Sequence, residues 1–233
     1  MIAALRLSLL VAYLPLAYCA GTFRSPTLAA LALGDLAVLA LIEPLLAGPT
    51  LRRRLFAWLA LAVAALALVA LAQSRFALLP LLLVPALFTA MIGWLFARSL
   101  RPGREPLIAK AMGALYAQSG MPLTPRHHRY TRQLTLAWAL LLALMTVVNL
   151  SLALIAVPDG VLAQLGIVAP LTVTNAQWSW IANIANYGAM GGFMLVEFQV
   201  RKRVFPVRPY RGFFDFARRL AGLGPAFWQD FFR

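Results

Sequence analysis

Four ionisable side chains stand where a reaction or a binding event could use them: Arg104 and Glu105 in "SLRPGREPLIAKA", His128 in "TPRHHRYTR" and Glu197 in "EFQVRKRVFP". A carboxylate beside a guanidinium suits headgroup recognition or general acid–base work, and an imidazole adds a group that changes charge near neutral pH. These four are the catalytic candidates for an acyl or headgroup transfer. A second set, Asp35, Asn149, Asn183, Asn186 and Tyr187, is polar in apolar surroundings and would bind cargo. Asn149 ends a stripe of His128, Thr131, Thr135, Trp138, Leu142 and Thr146 at helical spacing. Asn183, Asn186, Tyr187, Met190, Met194 and Glu197 share another face. Such stripes serve either hydrogen bonding between helices or a pocket for a polar group. A third set, Arg126, Arg129 and Arg132, offers positive charge to an acidic protein partner.

The elements that position these groups are set by apolar content. Of 233 residues 62% are hydrophobic and 12% charged, against about 25% charged in soluble domains. Six runs approach the roughly 20 apolar residues that a bilayer crossing needs: Ile2 to Ala20, Thr27 to Ala47, Leu55 to Ala72, Phe76 to Ala97, Leu134 to Val157 and Trp178 to Val200. The fold expected is therefore all-α, a polytopic membrane bundle of about six transmembrane helices filling residues 1–200. The first reads as a retained span rather than a cleaved signal. Pro80 and Pro85 should bend the fourth, and Gly188, Gly191 and Gly192 offer close helix contact on the sixth. Pro158 to Gln177 reads as a loop with a short helix after Asp159.

Charge sets the orientation. Nineteen of the 21 Lys and Arg fall in segments on one side if the N-terminus is cytosolic, leaving Arg24 and Arg75 on the other. The positive-inside rule then gives both termini inside. The cytosolic loop 98–133 should turn at Pro102 and Gly103 and form a helix over 106–117. Its apolar stripe of Leu107, Ile108, Ala111, Met112, Leu115 and Tyr116 would rest on the membrane interface. Thr124 and Pro125 open a helix that runs into the fifth span. The tail, 201–233, carries two more amphipathic faces, Phe213, Phe214, Ala217, Leu220 and Ala221, then Phe227, Trp228, Phe231 and Phe232. Glu43 is placed to meet the Arg52–Arg54 cluster, and Glu197 to pair with Arg201 one helical turn on.

Several classes are excluded. The chain holds no phosphate-binding loop, dinucleotide fingerprint or nucleophile elbow, so no cofactor is expected. His127 and His128 point to different helix faces, and one Cys, Cys19, gives neither a disulfide nor a thiolate cluster, so no metal is expected. The +14 charge follows topology, and its expected partners are anionic lipids rather than nucleic acid.

The segments "SLRPGREPLIAKA", "RYTRQLTLAW" and "EFQVRKRVFP" resemble an uncharacterised family of small bacterial inner-membrane proteins met beside genes for aryl polyene and xanthomonadin-type pigments. Those neighbourhoods include acyl carrier proteins, ketosynthases and acyltransferases. The likeness covers about residues 93–219 and is most specific over Gly103–Ile108, then at Tyr130, Thr131, Arg132, Thr135 and Trp138. Phe198 departs from an aromatic hydroxyl expected after the sixth-span Glu. The resemblance implies a setting, acyl-carrier-linked assembly at the bacterial inner membrane, with an acyl carrier protein as a partner. Three functions fit: a component that docks such a system or hands off its product, an intramembrane transferase, and a small lipid or pigment transporter subunit.

Overall fold

The computed structural model describes residues 2–231, with the side chains of Ala3, Ala4, Asn183, Pro225, Ala226, Gln229 and Asp230 excepted. The chain is an all-α polytopic bundle. Its helices are α1 (Ile2–Phe23), α2 (Pro26–Ala47), α3 (Leu51–Ala72), α4 (Leu79–Ser99), α5 (Leu107–Ala117), α6 (Pro125–Ile155), α7 (Val161–Gln164), α8 (Asn175–Trp180), α9 (Asn186–Val204), α10 (Phe213–Ala221) and α11 (Gly224–Phe231). Five of these, α1, α2, α3, α4 and α6, are long and apolar enough to cross a membrane. The expected sixth span is helical from Asn175 to Val204, but a π-helical turn over Ile181–Ala185 separates α8 from α9. It also carries three basic residues in its last turn.

Two compact units share the chain, one formed by the residues up to Pro85 with Val148–Asn186, the other by Ala86–Val147 with Tyr187 onward. In the first, α1, α2 and α3 follow one another through short turns. Ser25 and Thr50 each accept a backbone N–H of the following helix, from Leu28 and Arg53, which is the reason these polar residues start helices. The core is built on small side chains, Ala17, Ala20, Ala29 and Ala32 with Leu78 and Leu81, so backbones approach closely where no hydrophobic force separates protein from lipid. A second core gathers Leu82, Ala153, Ala156, Trp178 and Ala182. α3 buries only Ala57 and presents Leu55, Phe56, Leu59, Val63 and Leu66 outward, as a lipid-facing helix should. Glu43 meets Arg6 at 2.6 Å rather than the Arg52–Arg54 cluster. Arg6 and Glu43 lie near opposite ends of consecutive helices, which the turn at Arg24 and Ser25 brings level, while Arg54 Nε donates to the Gly48 carbonyl at 3.0 Å.

The loop after α6 is more ordered than its sequence announces. Ala156–Val157 and Val173–Thr174 pair as two-residue parallel strands, β1 and β2, and a reciprocal cap of Thr174 and Gln177 starts α8. The short helix expected after Asp159 is α7.

In the second unit Phe96, Trp138 and Phe193 pack in sequence, with ring centroids 6.0 and 4.8 Å apart. Gly93 lies against Leu142, where an added Cβ would come within 3.2 Å of its Cβ. The glycine contacts expected on the sixth span are not made. Among the described residues nothing lies within 4 Å of a Cβ added at Gly188, Gly191 or Gly192. Pro85 lies inside α4, whereas Pro80 sits in its first turn, where a missing N–H breaks no helical bond.

Candidate functional site

α4 ends where the chain meets "LRPGRE". The backbone N–H of Arg104 donates to the carbonyl of Arg101 at 3.1 Å, with Pro102 second and Gly103 third at φ 79°. That is a type II turn, in which the third position must be left-handed and glycine adopts it without strain. Glu105 follows, and Pro106 precedes α5. The first N–H groups of α5 have no partner in their own helix. Leu107 N–H donates to Ser99 Oγ at 3.0 Å and Ile108 N–H to Thr135 Oγ1 at 3.4 Å. Two side chains far apart in sequence thus fix the start of α5.

The apolar stripe of α5 is covered by protein. Leu107, Met112, Leu115 and Tyr116 are all buried, so this face is not left for lipid. Tyr116 meets the His127 ring edge-on at 5.0 Å, and His127 stacks on Phe205 at 4.1 Å. The tail following α9 folds back to supply the cover that the amphipathic pattern assigns to the membrane.

The turn, α4 and α5 enclose a cleft of about 290 Å³. Arg98, Arg104, Lys110 and Glu105 line it. Leu95, Leu107 and Phe231 supply an apolar wall. Arg104 and Glu105 are exposed, and neither side chain has an ion pair among the described residues. An amphipathic cleft with the exposed Arg104 guanidinium at its rim can hold a phosphate or carboxylate attached to an apolar chain.

Glu197 is in the opposite condition. It is 5% exposed, as is Arg201. Arg201 Nε donates to Glu197 Oε1 at 2.7 Å and its Nη2 donates to Oε2. Tyr130 OH donates to Oε1 at 2.9 Å. Arg201 further reaches Tyr210 OH at 3.4 Å and lies over the Phe216 ring at 4.8 Å. Both carboxylate oxygens are taken, so the geometry makes Glu197 the counter-charge of a buried node rather than a group open to substrate. Phe216, outside the expected tail face, is the residue through which α10 reaches this node, while Phe214 is 84% exposed.

His128 is exposed. Its neighbour His127, passed over in the sequence, is the structural one. His127 Nδ1 accepts the Thr124 backbone N–H at 3.2 Å, with the Thr124 hydroxyl 2.7 Å away. This is one half of a capping box, with an imidazole where Glu or Gln usually stands, while the His127 N–H donates to the Thr124 carbonyl at 2.9 Å; the spacing Thr-x-x-His was its signal. Of the basic residues at the start of α6, Arg126 lies 5.8 Å from the Phe205 ring and Arg132 donates to the Leu100 carbonyl at 3.3 Å. All three of Arg126, Arg129 and Arg132 remain exposed.

The first polar stripe is largely internal and the second only at Asn186 and Glu197. Thr131, Thr135 and Asn149 are fully buried, and Asn186 Nδ2 donates to Asn149 Oδ1 at 2.8 Å and to the Ala182 carbonyl at 3.1 Å. Asn149 and Asn186 therefore serve packing of the helices. Tyr187 is 52% exposed and is no part of that contact. It adjoins the π-helical turn, whose extra residue rotates the rest of the helix relative to an unbroken α-helical course. The side chain of Asn183 lies outside those described. Asp35 borders an apolar groove of about 430 Å³ with Leu16, Ala30, Gly34, Ala64 and Leu68. Its Oδ2 is buried without a hydrogen-bond partner among the described residues. Among the described residues that line the groove there is no second acid or base.

Sequence reasoning missed one cluster altogether. Asp159, 8% exposed, accepts Arg24 Nε at 3.0 Å and Nη2 at 3.3 Å, and also Asn175 Nδ2. The hydrogen bonds and charge of Asp159 hold the Arg24 guanidinium above its ordinary pKa against the opposing pull of burial. The available signal was a lone acid and a lone base in loops otherwise nearly free of charge. Among the described residues no three His, Cys, Asp or Glu side chains converge as a metal set.

Set against models of protein families, curated proteins and solved structures, the chain matches none.

Proposed function

We propose that this chain is a non-enzymatic component of a bacterial inner membrane. In this reading it docks an acyl-carrier-linked assembly system of the aryl polyene or fatty-acyl type, or hands off its product, at the cytosolic face. The observation that carries the reading is the contrast in how the charged groups are spent. Glu197 is closed into a node with Arg201 and Tyr130, whereas Arg104 at the rim of its cleft and Arg126, Arg129 and Arg132 are exposed at the surface. A transferase needs an acid or base held beside a substrate position, and the candidates Glu105 and His128 are both exposed. A docking surface needs charge, and acyl carrier proteins are acidic. Such attraction acts on association rate more than on final affinity and weakens with salt.

The test is recovery of the neighbouring acyl carrier protein by the detergent-purified chain at low and high salt. The wild type should retain it at low salt only, and R126Q/R129Q/R132Q should lose it. Equal recovery by the triple variant would remove the reading. Reporter fusions after Arg233 and within residues 160–175 test the orientation beneath it and should report opposite sides of the membrane.

A further inference from the structure

Arg24 and Arg75 are the two basic residues that the charge pattern leaves on the non-cytosolic side. They come from different turns, one between α1 and α2, the other between α3 and α4. Both nevertheless line a single cleft of about 300 Å³, together with Ser74, Asp159 and Gln164. Positive charge on that side runs against the topological rule, so two exceptions meeting at one place call for a local cause.

The cleft is held in shape. Arg24 is the non-glycine residue with positive φ among those described, at 50°, a conformation that persists only where surrounding contacts fix it. Its Nε and Nη2 are fixed by Asp159, itself buried and bonded to Asn175. Gly160, next in the chain, has no room for a side chain, since an added Cβ would lie 2.4 Å from the Ala156 carbonyl oxygen. Ser74 is spent, donating to the Leu71 carbonyl at 2.8 Å and accepting the Phe76 N–H at 3.2 Å. The free chemistry of the cleft is therefore guanidinium. Asp159 neutralises Arg24. Arg75 has no ion pair among the described residues and lies 4.8 Å from the Phe76 ring, so the lining carries a net charge of one positive unit. Pro26, Ala77 and Leu78 give it an apolar edge.

We propose that this cleft is an oxyanion site that takes a phosphate group, with Arg75 as its principal ligand and Arg24, braced by Asp159, as its second. Guanidinium groups match phosphate oxygens through paired, charge-assisted hydrogen bonds. The apolar edge fits the phosphodiester of an anionic phospholipid, and free phosphate shares the same chemistry. The site is independent of the docking reading at the other face.

The full-length chain in detergent would be titrated with phosphatidylglycerol, followed by native mass spectrometry, and separately with inorganic phosphate, followed by thermal protection. Both series would be run in an R104Q background so that the cytosolic cleft does not mask the result. R75Q should lower the affinity about tenfold, the loss of one or two hydrogen bonds to a charged group, while melting like its parent without ligand. R75K should fall between the two. Loss confined to phosphatidylglycerol assigns the site to lipid, and loss confined to inorganic phosphate assigns it to the free anion. Unchanged binding of both ligands by R75Q would overturn the proposal.

Discussion

Glu197 and Glu105 both lie beside arginines in short basic stretches, and they end in opposite states. Glu197 has its partner one turn along the same helix, so both oxygens can be matched while α9 stays regular, and Tyr130 and Tyr210 close the node. Glu105 follows a turn that Gly103 makes tight, and the chain geometry there leaves Arg104 and Glu105 side by side at the rim of a cleft. A charge that is buried must be matched, and once matched it is not free to react or bind. A charge left at a rim contributes little to stability and remains available. The difference separates residues that hold this fold from residues that can serve a partner.

The largest effect should come from breaking the closed node. Glu197→Ala leaves Arg201 buried without its counter-charge and should cost about 3–5 kcal/mol, whereas Glu105→Ala should change stability by less than about 0.5 kcal/mol. Unfolding followed by circular dichroism in detergent measures both. Equal effects would erase the contrast. A second contrast lies between glycines. Gly160→Ala forces a Cβ onto the Ala156 carbonyl and should cost roughly 1–3 kcal/mol, as overpacking does. Gly188→Ala and Gly192→Ala meet nothing among the described residues and should be neutral or stabilising by up to about 1 kcal/mol each, from helix propensity. The same unfolding assay reads them, and a strongly destabilised Gly188 variant would show that this face is covered. A smaller loss than that of the closed node is expected at the cleft wall. Ser99→Ala removes the acceptor of the Leu107 N–H and should cost about 1 kcal/mol, the ordinary value of a lost helix cap. Faster hydrogen exchange at Leu107 and Ile108, without change in the remainder of α5, is the signature.

The helices were legible because apolar runs and the signals at Pro106, Thr124 and Pro125 act locally. The Pro102–Gly103 turn was legible for the same reason. What covers the apolar faces was not. The stripe on α5 reads alike whether lipid or protein lies against it, and only the return of the tail through Phe205 decides. Stripe arguments also assume an unbroken α-helix, and the π-helical turn at Ile181–Ala185 defeats that assumption for Tyr187. Of the candidate site, Arg104 and Glu105 were found by residue type and their cleft was not, since Arg98, Lys110 and Phe231 reach it from separate elements. The Arg24–Asp159 pair spans 135 positions, and at that separation the scarcity of charge in the two loops was the one hint that they meet.

The most direct measurement of whether open charge, rather than a single acid or base, carries the function is product yield in a deletion strain that re-expresses variants at matched membrane levels. E105Q and H128Q should each restore acyl-carrier-linked product close to the wild-type level, and R126Q/R129Q/R132Q should leave unfinished acyl chains on the carrier. Complete loss of product in either E105Q or H128Q, with the variant folded and present in the membrane, would contradict the account and place the chain among enzymes.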